Sequence, residues 1–208
     1  PNGLNISELE NRSANLLDEK IQKFIKSHEF VIVGVGRLSM EKGFGHLLRA
    51  FKTVKKQFPG VALVLVGEGK ERKGYESLIN ETDIGDAVLM PGYCDNVPAL
   101  MKQARLLVMP SLTEGLPITL LEAMAIKTPV LVSEVGEMPK VLGYGEGGWV
   151  TKSIEPHDLA KAITSTLRSS KLQEKIEWAA HVVEQNYSAE AMTNNYLSHY
   201  KVVMERQT

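Results

Sequence analysis

The apolar runs constrain this chain most. "FVIVGVG" (Phe30–Gly36), "VALVLVG" (Val61–Gly67), "AVLMPG" (Ala87–Gly92), "RLLVMP" (Arg105–Pro110) and "PVLVSE" (Pro129–Glu134) are continuous rather than alternating. A strand with one wet face alternates polar and apolar residues. A continuous one has both faces covered, as in a parallel sheet sandwiched between helices. Amphipathic segments fill the intervals, over Phe44–Phe58, Tyr75–Thr82, Val97–Ala104 and Ile118–Ile126. In the first, Phe44, Leu47, Leu48, Phe51 and Val54 recur on one helical face. Strand, helix, strand repeated in this way predicts a Rossmann-like, doubly wound parallel α/β sheet of five strands.

After "GEGGWVT" (Gly145–Thr151) the pattern becomes purely helical, over Pro156–Arg168, Lys171–Gln185 and Ala189–Glu205, which predicts a C-terminal helical tail. Ser7–Lys26 reads as an N-terminal helix. No repeat, low-complexity tract or linker interrupts the chain. A single domain over 1–208 is expected, with a lead-in and helix at 1–28, an α/β core at 29–151 and helices at 152–208.

Charge and cysteine content exclude several functions. The net charge is -1 and the pI about 6.6, so no global basic field exists to attract nucleic acid. The single cysteine, Cys94, rules out an intrachain disulfide framework and a multi-cysteine metal site, and fits a reducing compartment. No apolar run reaches the roughly 18 residues that span a bilayer, and no signal-peptide pattern opens the chain. A cytoplasmic location is expected.

In an open parallel sheet, ligands bind beyond the carboxyl ends of the strands. The first strand leads into "GVGRLSMEKG", where Gly34 and Gly36 permit close backbone approach and Arg37 and Lys42 place two cations at a helix start. Taken alone, Arg37 and Lys42 read as solvated loop charges. Together they suit a phosphate, with Arg as a forked donor and Lys as a mobile point charge. The same loop also invites comparison with a dinucleotide fingerprint in which Glu68 would bind a ribose. Ser39 stands where the third glycine belongs, and two cations crowd the turn. No phosphate-binding Walker sequence, G-x-S-x-G elbow or H-E-x-x-H occurs, so nucleotide hydrolysis, serine hydrolysis and zinc chemistry lack support.

The third strand is followed by "PGYCDN", which puts Tyr93 at the cleft edge and offers Asp95 or Asn96 as a helix cap. The fourth is followed by "PSLTEGLPITLLEAM". Pro117 suits the first helical position, leaving Glu114 in the loop and Glu122 on the helix. Two helical positions eight apart (122 − 114) differ by roughly 80° in direction. With the first in a loop, both can converge on one elongated ligand. The amides of Ile118 and Thr119 and the Thr119 hydroxyl would form an anion site between the acids. Singly, Glu114 is a favourable charge near a helix N-terminus and Glu122 a solvent-facing helical residue. As a set they suggest a ligand with hydroxyls at both ends and phosphates between.

In order and spacing these motifs resemble the nucleotide-sugar-binding domain of retaining GT-B glycosyltransferases, glycosyltransferase family 4. "PNGLNI" looks like the hinge into that domain. "GVGRLSMEKG", "VLVGEGKER", "LMPGY" and "ARLLVMPSLTEGLPITLLEAMAIKTPVLVSEVGEMPKVL" follow in family order, with Glu114 and Glu122 as the family's E-x(7)-E pair. The resemblance implies one half of a GT-B fold and a nucleotide-diphosphate sugar, UDP-linked by analogy, as substrate. It implies no metal and no cofactor. Arg37 and Lys42 would bind the diphosphate with the amides of Ile118 and Thr119, alongside Gly36, Leu116 and Pro117. Glu114 would hold the donor sugar, Glu122 the ribose, and Tyr93 would border the base.

Arg37, Lys42 and Glu114 would thus be the catalytic residues, in transfer of a hexosyl-type sugar to an acceptor such as a growing glycan. Acceptor binding would belong to an N-terminal domain outside this chain, so these residues alone are expected to bind donor and transfer little sugar. The full-length enzyme would contact the cytoplasmic face of a membrane peripherally. A non-catalytic nucleotide-binding module is the alternative. Departures from the family pattern stand at Pro117, at Lys127, where glycine is usual and the helix exit is expected to differ slightly, and at Glu137 and Lys140. They bear on donor preference.

Overall fold

A computed structural model describes residues 3–194. Two helices, α1 (Ile6–Ser13) and α2 (Glu19–Lys26), precede strand β1 (Phe30–Val35), and a 3-10 turn (Met40–Lys42) leads into α3 (Phe44–Gln57). β2 (Val61–Val66), α4 (Arg72–Thr82), β3 (Val88–Gly92) and α5 (Val97–Gln103) follow. Then come β4 (Leu106–Met109), α6 (Ile118–Ala125), β5 (Val130–Ser133), α7 (Met138–Val141) and β6 (Trp149–Thr151). α8 (Pro156–Leu167) and α9 (Leu172–Tyr187) complete the named elements.

All strand pairings are parallel, in the order β3-β2-β1-β4-β5-β6. The sheet has six strands rather than the expected five. β6 is only three residues long and follows a glycine-rich stretch, so it carries no apolar run to announce it. The N-terminal segment is also two helices rather than one. The Asp18 carboxylate accepts from the amides of Lys20 and Ile21 and starts a second helix, while buried Leu17 anchors the bend. Asn96 caps α5 by accepting from the Ala99 amide. Of the expected helix over Ala189–Glu205, residues 189–194 are helical and the remainder lies outside the described residues.

The two sheet faces carry two separate cores. Val31, Val33, Val64, Leu107 and Val132 face one side and pack with residues of α5, α6 and α9. Ile32, Leu63, Leu65, Leu106 and Leu131 face the other, against Phe44, Leu47 and Phe51 of α3 and Leu159 and Ile163 of α8. Each fully buried side chain of this size contributes about 1.5–3 kcal/mol. Burial on both faces is why the strands read as continuous apolar runs.

The order also locates the cleft. Strands β1 to β3 build outward in one direction and β4 to β6 in the other, so the winding reverses between β1 and β4. Their pairing covers only Ile32 with Leu106 and Val33 with Leu107. Beyond that, β1 runs to Val35 and β4 to Met109 without partnering each other, and the sheet opens at its carboxyl end. Ligands of doubly wound sheets bind at such a reversal point.

Two loops are locked together across this opening. Gly43 has φ +67°, and a Cβ there would lie 1.9 Å from the Pro110 carbonyl oxygen. The Leu112 amide donates to the Glu41 carbonyl at 2.7 Å. Only glycine combines that dihedral with that contact. Gly43→Ala is therefore expected to cost about 2 kcal/mol or more in chemical denaturation. Gly45→Ala, whose Cβ would meet the tip of Arg49 at 3.4 Å and the Tyr75 ring at an ordinary 3.6 Å, should be neutral or gain up to about 0.5 kcal/mol. Equal effects at the two sites would contradict this account of the lock.

Candidate functional site

The opening between β1 and β4 is a cavity of about 550 Å³, within the usual ~300–1,000 Å³ of small-molecule sites. Val35 and Met109, the last residues of the two strands, form its floor, and Gly36, Arg37 and Lys42 line it from the β1 side. Glu114, Gly115, Pro117 and Thr119 line it from the β4 side. Six of the residues expected at a donor site, Gly36, Arg37, Lys42, Glu114, Pro117 and Thr119, thus meet in one space.

Glu114 is the point where three loops converge. Its Oε1 accepts from the Ser111 hydroxyl at 2.9 Å and from Lys42 Nζ in an ion pair. The pair is largely sheltered, with the lysine side chain 25% and the glutamate side chain 11% exposed. From the β5 side, Gly136, at φ +58°, lies so close that a Cβ would sit 2.0 Å from the Glu114 carbonyl oxygen. Ser111 is itself buried, and its carbonyl accepts from the Ser133 hydroxyl at 2.6 Å. Sequence reasoning missed Ser111. Its signal was a small hydroxyl residue directly after an apolar strand, three positions before the glutamate.

Lys42 reaches Glu114 along a fixed course. Its methylenes cross Gly36, where a Cβ would meet Cε, Cδ and Cγ at 3.3–3.5 Å. The Arg37 side chain is exposed on the same wall. The loop that carries both cations is held from β2: the Leu38 amide donates to the Glu68 carbonyl at 3.0 Å, and the Tyr75 hydroxyl donates to the Ser39 carbonyl at 3.1 Å. Gly67, with φ +135°, packs directly on the Gly36 carbonyl. The Glu68 carboxylate is forked onto Arg72 at 2.7 and 2.8 Å.

Helix α6 starts one residue later than expected. Pro117 is the cap, with extended dihedrals of -74° and 125°, and Ile118 is the first helical residue. A proline cap offers no side-chain acceptor, and the first bonded amide of the helix is Leu120, to the Pro117 carbonyl. Helix geometry leaves the amides of Ile118 and Thr119 without intrahelical partners at the positive end of the macrodipole. The exit of α6, expected to differ slightly at Lys127, instead closes in the form that glycine supplies. That residue adopts the left-handed conformation (φ 61°), and the bonds Lys127 to Met124 and Thr128 to Ala123 close the helix as a glycine would.

Four expected residues stand apart from this cavity. Leu116 is half-buried against the core, and the Ile118 side chain is 61% exposed. Tyr93, 82% exposed, borders a different cavity between its own loop and the start of α2, which also includes half-buried Cys94. Burial pushes the Cys94 thiol up, away from thiolate reactivity. Glu122 is half-buried on α6, and its burial raises the carboxyl above the ordinary 4.5, with only the more distant charge of Arg12 pulling it down.

A carboxyl whose folded pKa is raised binds its proton more tightly folded than unfolded. Stability is therefore lost as pH rises from the ordinary value through the raised one. Glu122→Gln should melt higher than the parent above that window, with the difference closing as pH falls below about 4.5. Thermal unfolding at several pH values reads this directly. A pH-independent difference would show that burial is not the cause.

The described residues include no helix long and apolar enough to cross a membrane, and no group of three or more His, Cys, Asp and Glu placed to hold a metal ion. The family model for glycosyl transferases group 1 matches residues 17–182. An uncharacterised glycosyltransferase of Methanocaldococcus jannaschii is 31% identical over 140 residues, covering 67% of this chain and 34% of that protein. Sucrose-phosphate synthase of Thermosynechococcus elongatus superposes with a TM-score of 0.80 at 25% identity, over 99% of this chain and 52% of the synthase. HepE of Anabaena, solved with UDP, superposes with a TM-score of 0.82 at 21% identity, over 96% and 56% of the two chains. The chain spans 34–50% of the length of the first curated relatives it matches. Its parallel sheet is the Rossmann-like α/β fold of GT-B glycosyltransferase structures, and the chain belongs to the glycosyl transferases group 1 family.

Proposed function

We propose that this domain is the donor-binding, C-terminal half of a retaining, family 4 glycosyltransferase. It would hold a nucleotide-diphosphate sugar for transfer of a hexosyl-type group to an acceptor such as a growing glycan. One observation carries the reading: Arg37, Lys42, Glu114 and the amide end of α6 surround a single cavity at the reversal point of the sheet. A diphosphate set there faces two cations and two unpaired amides. A sugar beyond it meets the Glu114 carboxylate, a multidirectional acceptor for hydroxyls.

In transfer, the bond between the anomeric carbon and the diphosphate oxygen breaks, the electron pair leaves with the phosphate, the acceptor hydroxyl oxygen bonds to the same carbon, and its proton passes to the departing diphosphate. The amides of Ile118 and Thr119 are fixed where that charge grows, and Arg37 and Lys42 bring two cations to it, which is electrostatic stabilisation of the departing group. These groups supply the charge that a divalent metal supplies elsewhere, so the reading includes no metal. Retention places the acceptor on the face the diphosphate leaves. Glu114 orients the sugar. Glu122 is assigned to the ribose and Tyr93, with its loop, to the base edge.

A uridine donor is the preferred assignment, supported by HepE, which was solved with UDP and with UDP-glucose. The acceptor site is assigned to an N-terminal domain, in keeping with the share of its relatives that this chain spans. The same reading assigns the full-length enzyme to the cytoplasm, with peripheral contact to a membrane face.

Calorimetric titration with UDP, GDP, ADP and NAD tests the reading. One nucleoside diphosphate, UDP first, should bind in preference to NAD. Arg37→Ala and Lys42→Ala should each weaken it about tenfold to a hundredfold, the worth of a charge-assisted hydrogen bond. Failure of every nucleoside diphosphate to bind, or unchanged affinity in both variants, would sink the assignment.

A further inference from the structure

We propose that Lys42 serves two anions in turn, Glu114 and the donor diphosphate, so that diphosphate binding opens the Lys42–Glu114 pair and turns the carboxylate over to the sugar. This rests on the donor-binding reading above. It adds a coupling between the two ends of the donor, and a reason for the site to distinguish nucleotide sugar from the nucleoside diphosphate left after transfer.

The geometry points to this exchange for three reasons. First, both donors to the carboxylate converge on one oxygen: Lys42 Nζ and the Ser111 hydroxyl both address Glu114 Oε1. Second, the backbones on either side are immobilised. Gly43 is pressed on the Pro110 carbonyl, the Leu112 amide is bonded to Glu41, and Gly136 abuts the Glu114 carbonyl. With the loops tied in this way, a ligand enters between the two charges at least cost if a side chain moves. Third, Lys42 is the one built to move. Its methylenes lie across Gly36, and a turn of the terminal bonds redirects Nζ without moving that stem. Glu114 stays in place, because Ser111 continues to donate to it and is itself fixed through Ser133.

The consequences differ for two ligands. A nucleoside diphosphate takes Lys42 and leaves the sheltered Glu114 carboxylate without its cation, which costs affinity. A nucleotide sugar takes Lys42 and returns hydroxyl donors to the same carboxylate. The pair therefore penalises the product relative to the substrate, and favours release of the diphosphate once the sugar has gone.

The test is a double-mutant cycle over Glu114→Gln and Lys42→Met, titrated with UDP and with UDP-glucose up to millimolar concentrations. Glu114→Gln should tighten UDP about three- to tenfold, since a partly sheltered pair lies at or above the upper end of surface ion pairs. It should weaken UDP-glucose. In the Lys42→Met background, the same Glu114→Gln change should alter UDP affinity by less than about twofold. A tightening cannot arise from misfolding. If Glu114→Gln leaves UDP affinity unchanged or weakens it, the exchange is overturned. It is equally overturned if the gain persists without Lys42, because plain repulsion between carboxylate and phosphate then explains it. Failure of the parent chain to bind UDP or any other nucleoside diphosphate would remove the donor reading itself. Binding without the gain removes only the exchange.

Discussion

The contact on which the site depends is the one between the loop after β1 and the loop after β4. Strand pairing stops at Val33 and Leu107, so nothing in the sheet itself holds the two loops together. Gly43 on the Pro110 carbonyl and the Leu112 amide on Glu41 replace the missing ladder bonds. This arrangement leaves a gap wide enough for a ligand over the strand ends, yet ties its rim together through backbone. Cations from one loop and a carboxylate from the other then face each other across a distance set by backbone rather than by side-chain choice.

Most of the fold was legible in the sequence because burial on both sheet faces leaves short continuous apolar runs, and amphipathic segments alternate with them. Runs such as "VALVLV" have no polar position at all, and all six residues of β2 are buried. The misses share a cause. β6 is held by pairing with β5 and needs only three residues, too few to form a pattern. The break between α1 and α2 is made by one aspartate cap, and Asp18 within a polar helical stretch looks like any other surface charge. Short elements are set by their neighbours, and their neighbours are not visible in a local window.

Much the same holds for the site. Gly36, Arg37, Lys42, Glu114, Pro117 and Thr119 were legible because each follows an apolar strand, and the topology sends those strand ends to one place. Ser111 was not, since its role depends on a hydrogen bond to a side chain three residues on and on a second serine from another strand. Lys127 shows the opposite limit. Sequence alone flags a lysine where glycine is usual, but the two closing bonds of α6 and the ion pair with Glu177 at 2.7 Å hold it in the left-handed conformation all the same. That conformation costs a non-glycine residue about 1 kcal/mol. The closing hydrogen bonds offset it, and α6 ends with the bonds of a left-handed close.

Helix α6 joins the two requirements of the site. Leu120, Leu121, Ala123, Met124 and Ala125 are buried, so the helix is held by the core along nearly its whole length. Its amide end, by contrast, opens into the cleft beside Thr119. A helix anchored only by polar contacts would let those amides follow a ligand's motion, and their dipoles would have to reorganise as charge moved. Anchoring by apolar burial removes that freedom before any ligand arrives. It also explains the placement of Glu122, whose half-buried carboxyl on so apolar a helix works against stability. Burying a carboxyl on that face costs desolvation that its apolar neighbours do not incur, and the ribose role proposed for Glu122 is the reason offered for its presence.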